Sequence, residues 1–158
     1  MIRIGVISDT HLNDFDQGLA DQAAKAFAGV DIILHAGDLT NLLVLDALEA
    51  PEVIAVAGNM DGPTVRANLP DKRLISAGGF KIGLIHGWGP PMGLAGRVAK
   101  EFDGVDAVVF GHSHRPTNLV KEDILLFNPG SYAKGFLGSG TLGILELGRK
   151  ITGRVLKL

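Results

Sequence analysis

Short apolar runs alternate with helix-like patterns through the first third of the chain. The runs at 2–8, 31–37 and 52–58 are rich in β-branched residues and end at glycine or polar positions, which is typical of buried strands. Between them, residues 19–29 and 42–50 repeat apolar side chains at the spacing of one helix face. The resulting β-α-β-α-β order predicts parallel strands joined by right-handed crossovers.

The pattern becomes mainly extended after residue 70. Two runs, 72–77 and 80–87, flank Gly78-Gly79, and this arrangement indicates a hairpin. A helix is predicted at 93–102 and a buried strand at 106–111. Further strands are predicted at 118–123, 124–128, 141–147 and 151–158. We therefore expect an α/β protein with two β-sheets packed face to face and helices outside them.

The composition narrows the class of protein. A length of 158 residues, without a repeat or an interdomain linker, favours one domain spanning 1–158. The chain has no cysteine, which excludes disulfide scaffolds, zinc–thiolate sites and thiol nucleophiles. Its formal net charge of −2 provides no general basic surface for nucleic acid. No apolar run reaches the roughly 18 residues of a membrane span, and the N-terminus predicts a strand rather than a signal peptide, so we expect a cytoplasmic location.

Polar side chains recur just beyond the carboxyl ends of the predicted strands. Loops that follow such strands converge at one edge of a sheet, so these side chains are expected to meet. They are Asp9, His11, Asp38, Asn59, His86, His112 and His114. Oxygen and imidazole nitrogen donors suit manganese, iron, nickel or zinc. Seven donors are too many for one tetrahedral ion and match two divalent ions that share a carboxylate, for which the central Asp38 is the natural bridge.

Each of these segments alone has a simpler interpretation. An aspartate after a strand more often caps a turn than binds a metal, and glycine followed by Asp or Asn is usually turn chemistry. Five separate strand ends with the same donor types favour one shared site over five independent turns. His35 is different because it lies inside a predicted strand, where we expect a buried, hydrogen-bonded histidine or one that supports a ligand.

The order of these segments resembles the calcineurin-like metallophosphoesterase superfamily. The matching segments are Asp9-Thr10-His11, Gly37-Asp38, Gly58-Asn59-Met60-Asp61, His86-Gly87 and Gly111-His112-Ser113-His114. The resemblance covers nearly the whole chain, and the short length is similar to that of the small single-domain bacterial and archaeal phosphodiesterases. The same branch contains the metallophosphoesterase-like subunit of retromer, a trafficking scaffold.

This resemblance implies a metallophosphoesterase-like, four-layer α/β/β/α sandwich with two mixed β-sheets and two divalent metal ions at one edge of the paired sheets. It assigns the first ion to Asp9, His11, Asp38 and His114. It assigns the second ion to Asp38, Asn59, His86 and His112. Manganese is the expected metal, with iron, nickel or zinc as alternatives.

The implied activity is hydrolysis of small phosphodiesters. A hydroxide that bridges two metal ions would attack phosphorus while both ions neutralise the phosphoryl oxygens. In this scheme Asp38, Asn59, His86 and His112 act in catalysis through the metals. The expected enzyme class is therefore a metal-dependent phosphodiesterase.

Four other residues bear on substrate choice, and a fifth, Asp61, bears on the support of the site. Arg115 is a candidate phosphate contact and Lys134 a weaker one. Trp88 either stacks on an aromatic leaving group or packs its own loop. Asp61 is expected to support the loop or a ligand rather than to bind metal. Many members of the superfamily carry a histidine at the position of Met60, and since methionine cannot donate a proton, we expect a preference for esters with good leaving groups.

Two other functions compete with this interpretation. The main alternative is a metal-binding scaffold or interaction protein of the same fold with little or no catalysis, and an apolar residue at position 60 is compatible with it. A nuclease would share the chemistry, but the acidic balance and the lack of a basic-aromatic stripe argue against long nucleic acids. No membrane partner is expected, and the sequence leaves homo-oligomerisation open.

Overall fold

The computed structural model describes residues 1–133 and 140–158. Its strands are β1 (Ile2–Ile7), β2 (Ile32–His35), β3 (Glu52–Ala55), β4 (Lys72–Ala77), β5 (Phe80–Ile85), β6 (Ala107–Val109), β7 (Thr117–Lys121), β8 (Ile124–Asn128), β9 (Thr141–Leu147) and β10 (Ile151–Lys157). Its α-helices are α1 (Gln17–Ala26), α2 (Pro63–Asn68) and α3 (Leu94–Ala99), and a 3₁₀ helix spans Leu42–Ala47. Within the described ranges, no helix is both long enough and apolar enough to cross a membrane.

The strands form two mixed sheets of five strands each in this part of the chain. The first has the order β10-β9-β1-β2-β3, and β1, β2 and β3 run parallel, as the alternation of strands and helices predicts. In the second sheet, β4-β5-β6-β8-β7, the three central strands are parallel and both edge strands are antiparallel to their neighbours. The predicted two-sheet α/β class is confirmed.

Three apolar clusters separate four layers. Val6 of β1 and Leu84 of β5 lie in the cluster between the two sheets. Leu19 of α1 packs on the outer face of the first sheet, and Val98 of α3 packs on the outer face of the second. These side chains are fully buried, and each burial stabilises the fold by about 1.5–3 kcal/mol. The layers are therefore α/β/β/α, as the family resemblance implies.

One hairpin and one helix test the local predictions directly. Gly78 and Gly79 both have positive φ, +56° and +82°, which closes the predicted two-residue turn between β4 and β5. The predicted helix at 42–50 is instead the shorter 3₁₀ helix, which begins after Asn41, whose side chain accepts a hydrogen bond from the Leu43 N–H. Its buried residues, Val44 and Ala47, are three apart, which matches the three-residue turn of a 3₁₀ helix.

The helix α2 is absent from the sequence predictions. It is only six residues long and buries Val65 alone, so it carries no apolar period to detect. The sequence feature that marks the start of this helix is Pro63 in the first turn, where a backbone N–H would have no partner within the helix. This short helix matters for the site because it positions Arg66 behind the loop that follows β3.

The two sheets meet at the edge where their parallel strands end. The Asp9 N–H donates to the Gly37 carbonyl at 3.0 Å, which ties the loops after β1 and β2 together. The Gly111 N–H donates to the His86 carbonyl at 3.0 Å, which does the same for the loops after β6 and β5. His86 Nδ1 lies 2.7 Å from the Ala36 carbonyl oxygen and joins the two sheets.

Candidate metal centre

A strained backbone marks the loops at this edge. Five residues that are not glycine adopt the left-handed region at the predicted ligand positions: Asp9 (φ 55°), His11 (φ 50°), Asp38 (φ 58°), His112 (φ 71°) and His114 (φ 60°). This conformation costs such residues on the order of 1–2 kcal/mol each. Strain of this kind concentrates at functional sites because the surrounding structure holds it in place. Here it turns the ligand side chains toward one point.

Asp9 presents one carboxylate oxygen to this point. The residue is fully buried, and Oδ2 accepts hydrogen bonds from the Ser8 hydroxyl at 2.6 Å and from the His112 N–H at 3.2 Å. Oδ1 has no hydrogen-bond partner among the described residues, and neither does His11 Nε2, 3.6 Å away. His114 Nε2 lies 3.2 Å from the same oxygen. Buried polar atoms normally have partners, so this pair of atoms fits a bound cation.

Asp38 lies between the two sets of predicted ligands. Its Oδ1 accepts a hydrogen bond from the Met60 N–H at 2.8 Å. Its Oδ2 lies 3.2 Å from His86 Nε2 and 3.7 Å from His11 Nε2, which belong to the second and first predicted ion. A Cβ at Gly58 would overlap this carboxylate, so only glycine allows the loop after β3 to approach so closely. The position of Asp38 supports its expected role as the shared ligand.

Asn59 joins the remaining two histidines. Its Oδ1 lies 3.0 Å from His86 Nε2 and 3.1 Å from His112 Nδ1. The other ring nitrogens face carbonyl oxygens: His86 Nδ1 that of Ala36 at 2.7 Å, and His112 Nε2 that of Gly89 at 2.8 Å. A carbonyl can only accept, so these nitrogens carry the proton. In a neutral ring the nitrogen that faces Asn59 then offers a lone pair toward the lone pairs of the Asn59 oxygen, an arrangement that a cation bound by both would stabilise.

The structure therefore brings all seven predicted ligands together. The donor atoms form two groups, and each group could hold an ion. Within each group the atoms lie within 4.8 Å of one another: Asp9 with His11 and His114, and Asp9 with Asp38 and His86. Asp9 belongs to both groups, whereas the sequence pattern singled out only Asp38 as shared. The donor set of carboxylates, imidazoles and one amide fits divalent manganese, iron, nickel or zinc.

Charges in the cluster compensate one another. Burial alone would raise the pKa of Asp9, but the close imidazoles of His11, His114 and His86 hold it far below its ordinary value. Burial alone would lower the pKa of His86, but the Asp38 carboxylate 3.2 Å away and the charge of Asp9 raise it. The contact with Asp9 at 3.2 Å likewise raises the pKa of His114.

Metal affinity is expected to fall as the pH is lowered, and the fall should begin above the ordinary histidine pKa of about 6.5. A proton on His86 or His114 competes with a metal ion, and since both pKa values are raised, this competition starts at a higher pH than for a free histidine. Titration calorimetry with manganese between pH 6 and 8.5 should show proton release on binding. An affinity independent of pH across this range would contradict the assignment of these two histidines as ligands.

Asp61 supports the centre from behind. Its carboxylate accepts three backbone N–H bonds, from Asp38 at 3.0 Å, Thr40 at 2.7 Å and Gly58 at 2.7 Å, and the residue is 4% exposed. Both oxygens are used in this way, as expected for a residue that orients the loops rather than binds metal. Arg66 of α2 reinforces the same loop by donating to the carbonyls of Asp61 and Gly58.

The sequence patterns did not identify two further supporting residues. The side chain of buried Asn128, at the end of β8, donates to the Gly111 carbonyl at 2.8 Å and to Ser113 Oγ at 3.2 Å. It thereby holds the loop that carries His112 and His114. Ser8 is the other, through its hydrogen bond to Asp9. A polar residue at the buried end of an apolar strand is the signal that could have found both.

His35 is the buried histidine that the pattern predicts. Its Nδ1 accepts the Gly37 N–H at 3.1 Å, so Nε2 carries the proton and donates to Thr10 Oγ1 at 3.1 Å. Burial lowers the pKa of His35 to about 3, which keeps the ring neutral. Both ring nitrogens are therefore occupied within the protein, and His35 fixes the loop after β1 without binding a metal.

The three candidate substrate contacts fall in different places. Arg115 is exposed, and its guanidinium makes no hydrogen bond or ion pair with any residue in 1–133 or 140–158, so its phosphate role stays a prediction. Lys134 lies outside the described residues. Trp88 is 45% exposed and lines a cleft together with Asn59 and His86.

Known proteins are similar to this chain in sequence. Residues 2–150 match the family model of the calcineurin-like phosphoesterase superfamily domain. A probable metallophosphoesterase of Methanocaldococcus jannaschii is 44% identical over 132 residues, which cover 81% of this chain and 67% of that protein. A probable metallophosphoesterase of Methanothermobacter thermautotrophicus is 38% identical over 160 residues, covering 98% of this chain and 91% of the relative.

Solved structures agree with the sequence relatives. A structure of a novel archaeal phosphodiesterase superposes with a TM-score of 0.79 at 26% identity and covers 99% of this chain and 100% of its own. Vps29 of Entamoeba histolytica in complex with zinc has a TM-score of 0.70 at 23% identity, covers 99% of both chains, and shares the fold. From its matching residues, its relatives and its two-sheet architecture, the chain belongs to the calcineurin-like phosphoesterase superfamily.

Proposed function

We propose that this protein is a dinuclear metal-dependent phosphodiesterase that hydrolyses small phosphodiesters, with manganese as the favoured metal. The observation that carries the proposal is the buried Oδ1 of Asp9, which lies without a hydrogen-bond partner in the described chain within 4 Å of three histidine nitrogens. The similarity to an archaeal phosphodiesterase supports diesters as the substrate class.

Divalent ions bound here would supply positive charge that neutralises phosphoryl oxygens and lowers the pKa of water. The residues of the chain hold and orient such charges. Asp9 and Asp38 provide two buried carboxylates, and the carbonyls of Ala36 and Gly89 fix the tautomers of His86 and His112. Fixed ligands reduce the reorganisation that the reaction would otherwise require.

The nearby hydroxyl groups do not favour a covalent intermediate. The Ser8 hydroxyl donates a hydrogen bond to the Asp9 carboxylate, and the residue is fully buried. Ser113 is engaged with Asn128 and with the backbone of Arg115. Since neither oxygen is free to attack phosphorus, the arrangement favours direct attack by water.

The proposal is tested by metal analysis combined with hydrolysis of an activated aryl phosphodiester. Protein stripped with a chelator should lose activity and regain it with manganese, and parallel additions of iron, nickel and zinc would rank the metals. About two ions per chain are expected at saturation. Metal bound at this stoichiometry without turnover of any diester or monoester would exclude the enzyme.

The same experiment addresses the second candidate function, a metal-binding scaffold of this fold. The structural likeness to Vps29 is the observation that favours it. The site itself argues against a scaffold. Seven donors converge there, five of them on strained backbone, and a surface that only binds a partner does not need such a cluster.

The residue at position 60 is expected to limit the leaving groups. The Met60 side chain is 58% exposed and cannot protonate a leaving oxygen, whereas general acid catalysis typically contributes about 10²–10⁴-fold. Activated aryl diesters should therefore be cleaved much faster than alkyl diesters of the same size. Met60→His should raise the alkyl rate at least about tenfold and leave the aryl rate nearly unchanged.

This substitution keeps the backbone N–H that donates to Asp38, so the site itself should survive. Met60→Gln is the matched control, since glutamine is polar but has no acidic proton to transfer. The idea fails if wild-type protein cleaves alkyl and activated aryl diesters at comparable rates with chemistry limiting for both.

A further inference from the structure

A cleft borders the second predicted ion site. Its volume is about 430 Å³, and two of the predicted ligands, Asn59 and His86, are among its lining residues. Ala57 and Ile85 contribute apolar surface, and the half-exposed indole of Trp88 lines the same space. A group attached to a phosphate that these two ligands hold through a metal ion would lie next to this cleft.

The loop that carries Trp88 is held from two sides. The Trp88 carbonyl accepts hydrogen bonds from Arg97 Nη2 at 2.9 Å and Nε at 3.2 Å, which tie it to α3. The carbonyl of the next residue, Gly89, accepts the bond from His112 Nε2. Because these contacts use backbone atoms, they fix the loop relative to the metal centre and leave the indole uncommitted to them. The backbone carbonyls of Trp88 and Gly89 therefore hold the loop in place, and these contacts do not involve the indole ring.

The charges along the cleft cancel in pairs. Lys72 Nζ lies 3.2 Å from a carboxylate oxygen of Glu101, and Arg66 Nη1 lies 3.4 Å from Asp71. All four residues line the cleft, so its walls carry two positive and two negative charges. Such a surface does not select a second phosphate or a carboxylate. An uncharged planar group that stacks on the indole suits it better.

We infer that this cleft binds the ester group of the substrate, and that Trp88 makes the enzyme selective for phosphodiesters with an uncharged aromatic ester group, of which a nucleobase-bearing group is one form. The inference rests on the proposed function, since it places the phosphate at the metal centre. Trp88 acts as a specificity residue, and stacking on its ring should contribute about five- to tenfold in affinity.

The single tryptophan of the chain makes the test direct, because fluorescence excited selectively at tryptophan reports on Trp88 alone. Phenyl phosphate and methyl phosphate are titrated into the manganese-loaded protein. Phenyl phosphate should bind about five- to tenfold tighter and change the fluorescence, whereas methyl phosphate should bind with little change. Calorimetry measures the same affinities for variants that lack the indole.

Trp88→Leu should remove the preference for phenyl phosphate and leave methyl phosphate affinity within about twofold, since the loop contacts use the backbone. Met92→Leu is the matched control, because Met92 lies in the same loop, is 88% exposed and does not line the cleft. Equal weakening of both esters by Trp88→Leu, or no effect on either, overturns the inference while leaving the proposed function intact. If the loaded wild-type protein binds neither ester, the inference fails, and the proposed function fails only if the same protein also hydrolyses no phosphodiester.

Discussion

Asp38→Asn is expected to reduce phosphodiester hydrolysis by about 10³-fold or more and to lower the bound metal below two ions per chain. Asp38 is 2% exposed, and its Oδ2 faces His86 and His11 from the two ligand sets at once. Asparagine keeps the shape of the side chain but removes the negative charge that both ions would share. Loss of one residue should therefore weaken both halves of the centre.

Metal content and turnover should be measured on the same preparations of this variant. Asp103→Asn is the matched control, because Asp103 is an exposed carboxylate in the loop after α3, away from the ligand loops. It should retain the full metal content and rate. Two tightly bound ions in Asp38→Asn would show that Asp38 is not shared, and Asp9, which belongs to both donor groups, would become the better candidate.

Asp61→Ala is expected to destabilise the protein by about 3–6 kcal/mol and to reduce metal affinity although Asp61 is not one of the predicted ligands. The substitution leaves three backbone N–H groups without their acceptor, and each such loss costs about 1–3 kcal/mol when the group is buried. Those groups belong to the loops that carry Asp38 and Asn59. Without their common acceptor, the two loops lose the contact that sets their spacing.

Denaturant unfolding of protein from which a chelator has removed the metal measures the free energy of unfolding separately from metal binding. Asp61→Asn keeps one acceptor oxygen and should fall between wild type and Asp61→Ala. Asp71→Ala serves as the control, because that side chain is 85% exposed and forms only a surface ion pair with Arg66, so a change within about 0.5 kcal/mol is expected. A loss for Asp61→Ala no larger than this would show that solvent replaces its hydrogen bonds.

Much of the fold follows from local patterns. Short β-branched runs with helix patterns between them predict β1 to β3 as parallel strands, and Gly78-Gly79 predicts the hairpin between β4 and β5. These predictions are confirmed because each depends on residues that are close in sequence. Local patterns fail where the apolar signal is weak, as in α2 with its single buried Val65, or ambiguous, as in the 3₁₀ helix.

The convergence of the predicted ligands was also predictable, because parallel strands direct their following loops to one edge. That rule places the seven donors near one another without any knowledge of distances. The rule does not say which oxygen of Asp9 faces the site, which nitrogen of His86 carries the proton, or that Asp61 holds three N–H groups. Each of these details depends on atoms from segments far apart in sequence, such as Ser8 against Asp9 and Ala36 against His86.

The sequence by itself thus determined the class of fold and the absence of thiol chemistry, and it predicted the seven donors. Only the tertiary structure decided that Asp9 belongs to both donor groups, and that Trp88 lines a cleft together with Asn59. The physical reason is the sequence separation over which each kind of interaction acts. Periodicity and turn chemistry act over a few residues, whereas the position of an oxygen or an indole is set by the packing of two sheets whose contacting strands are distant in sequence.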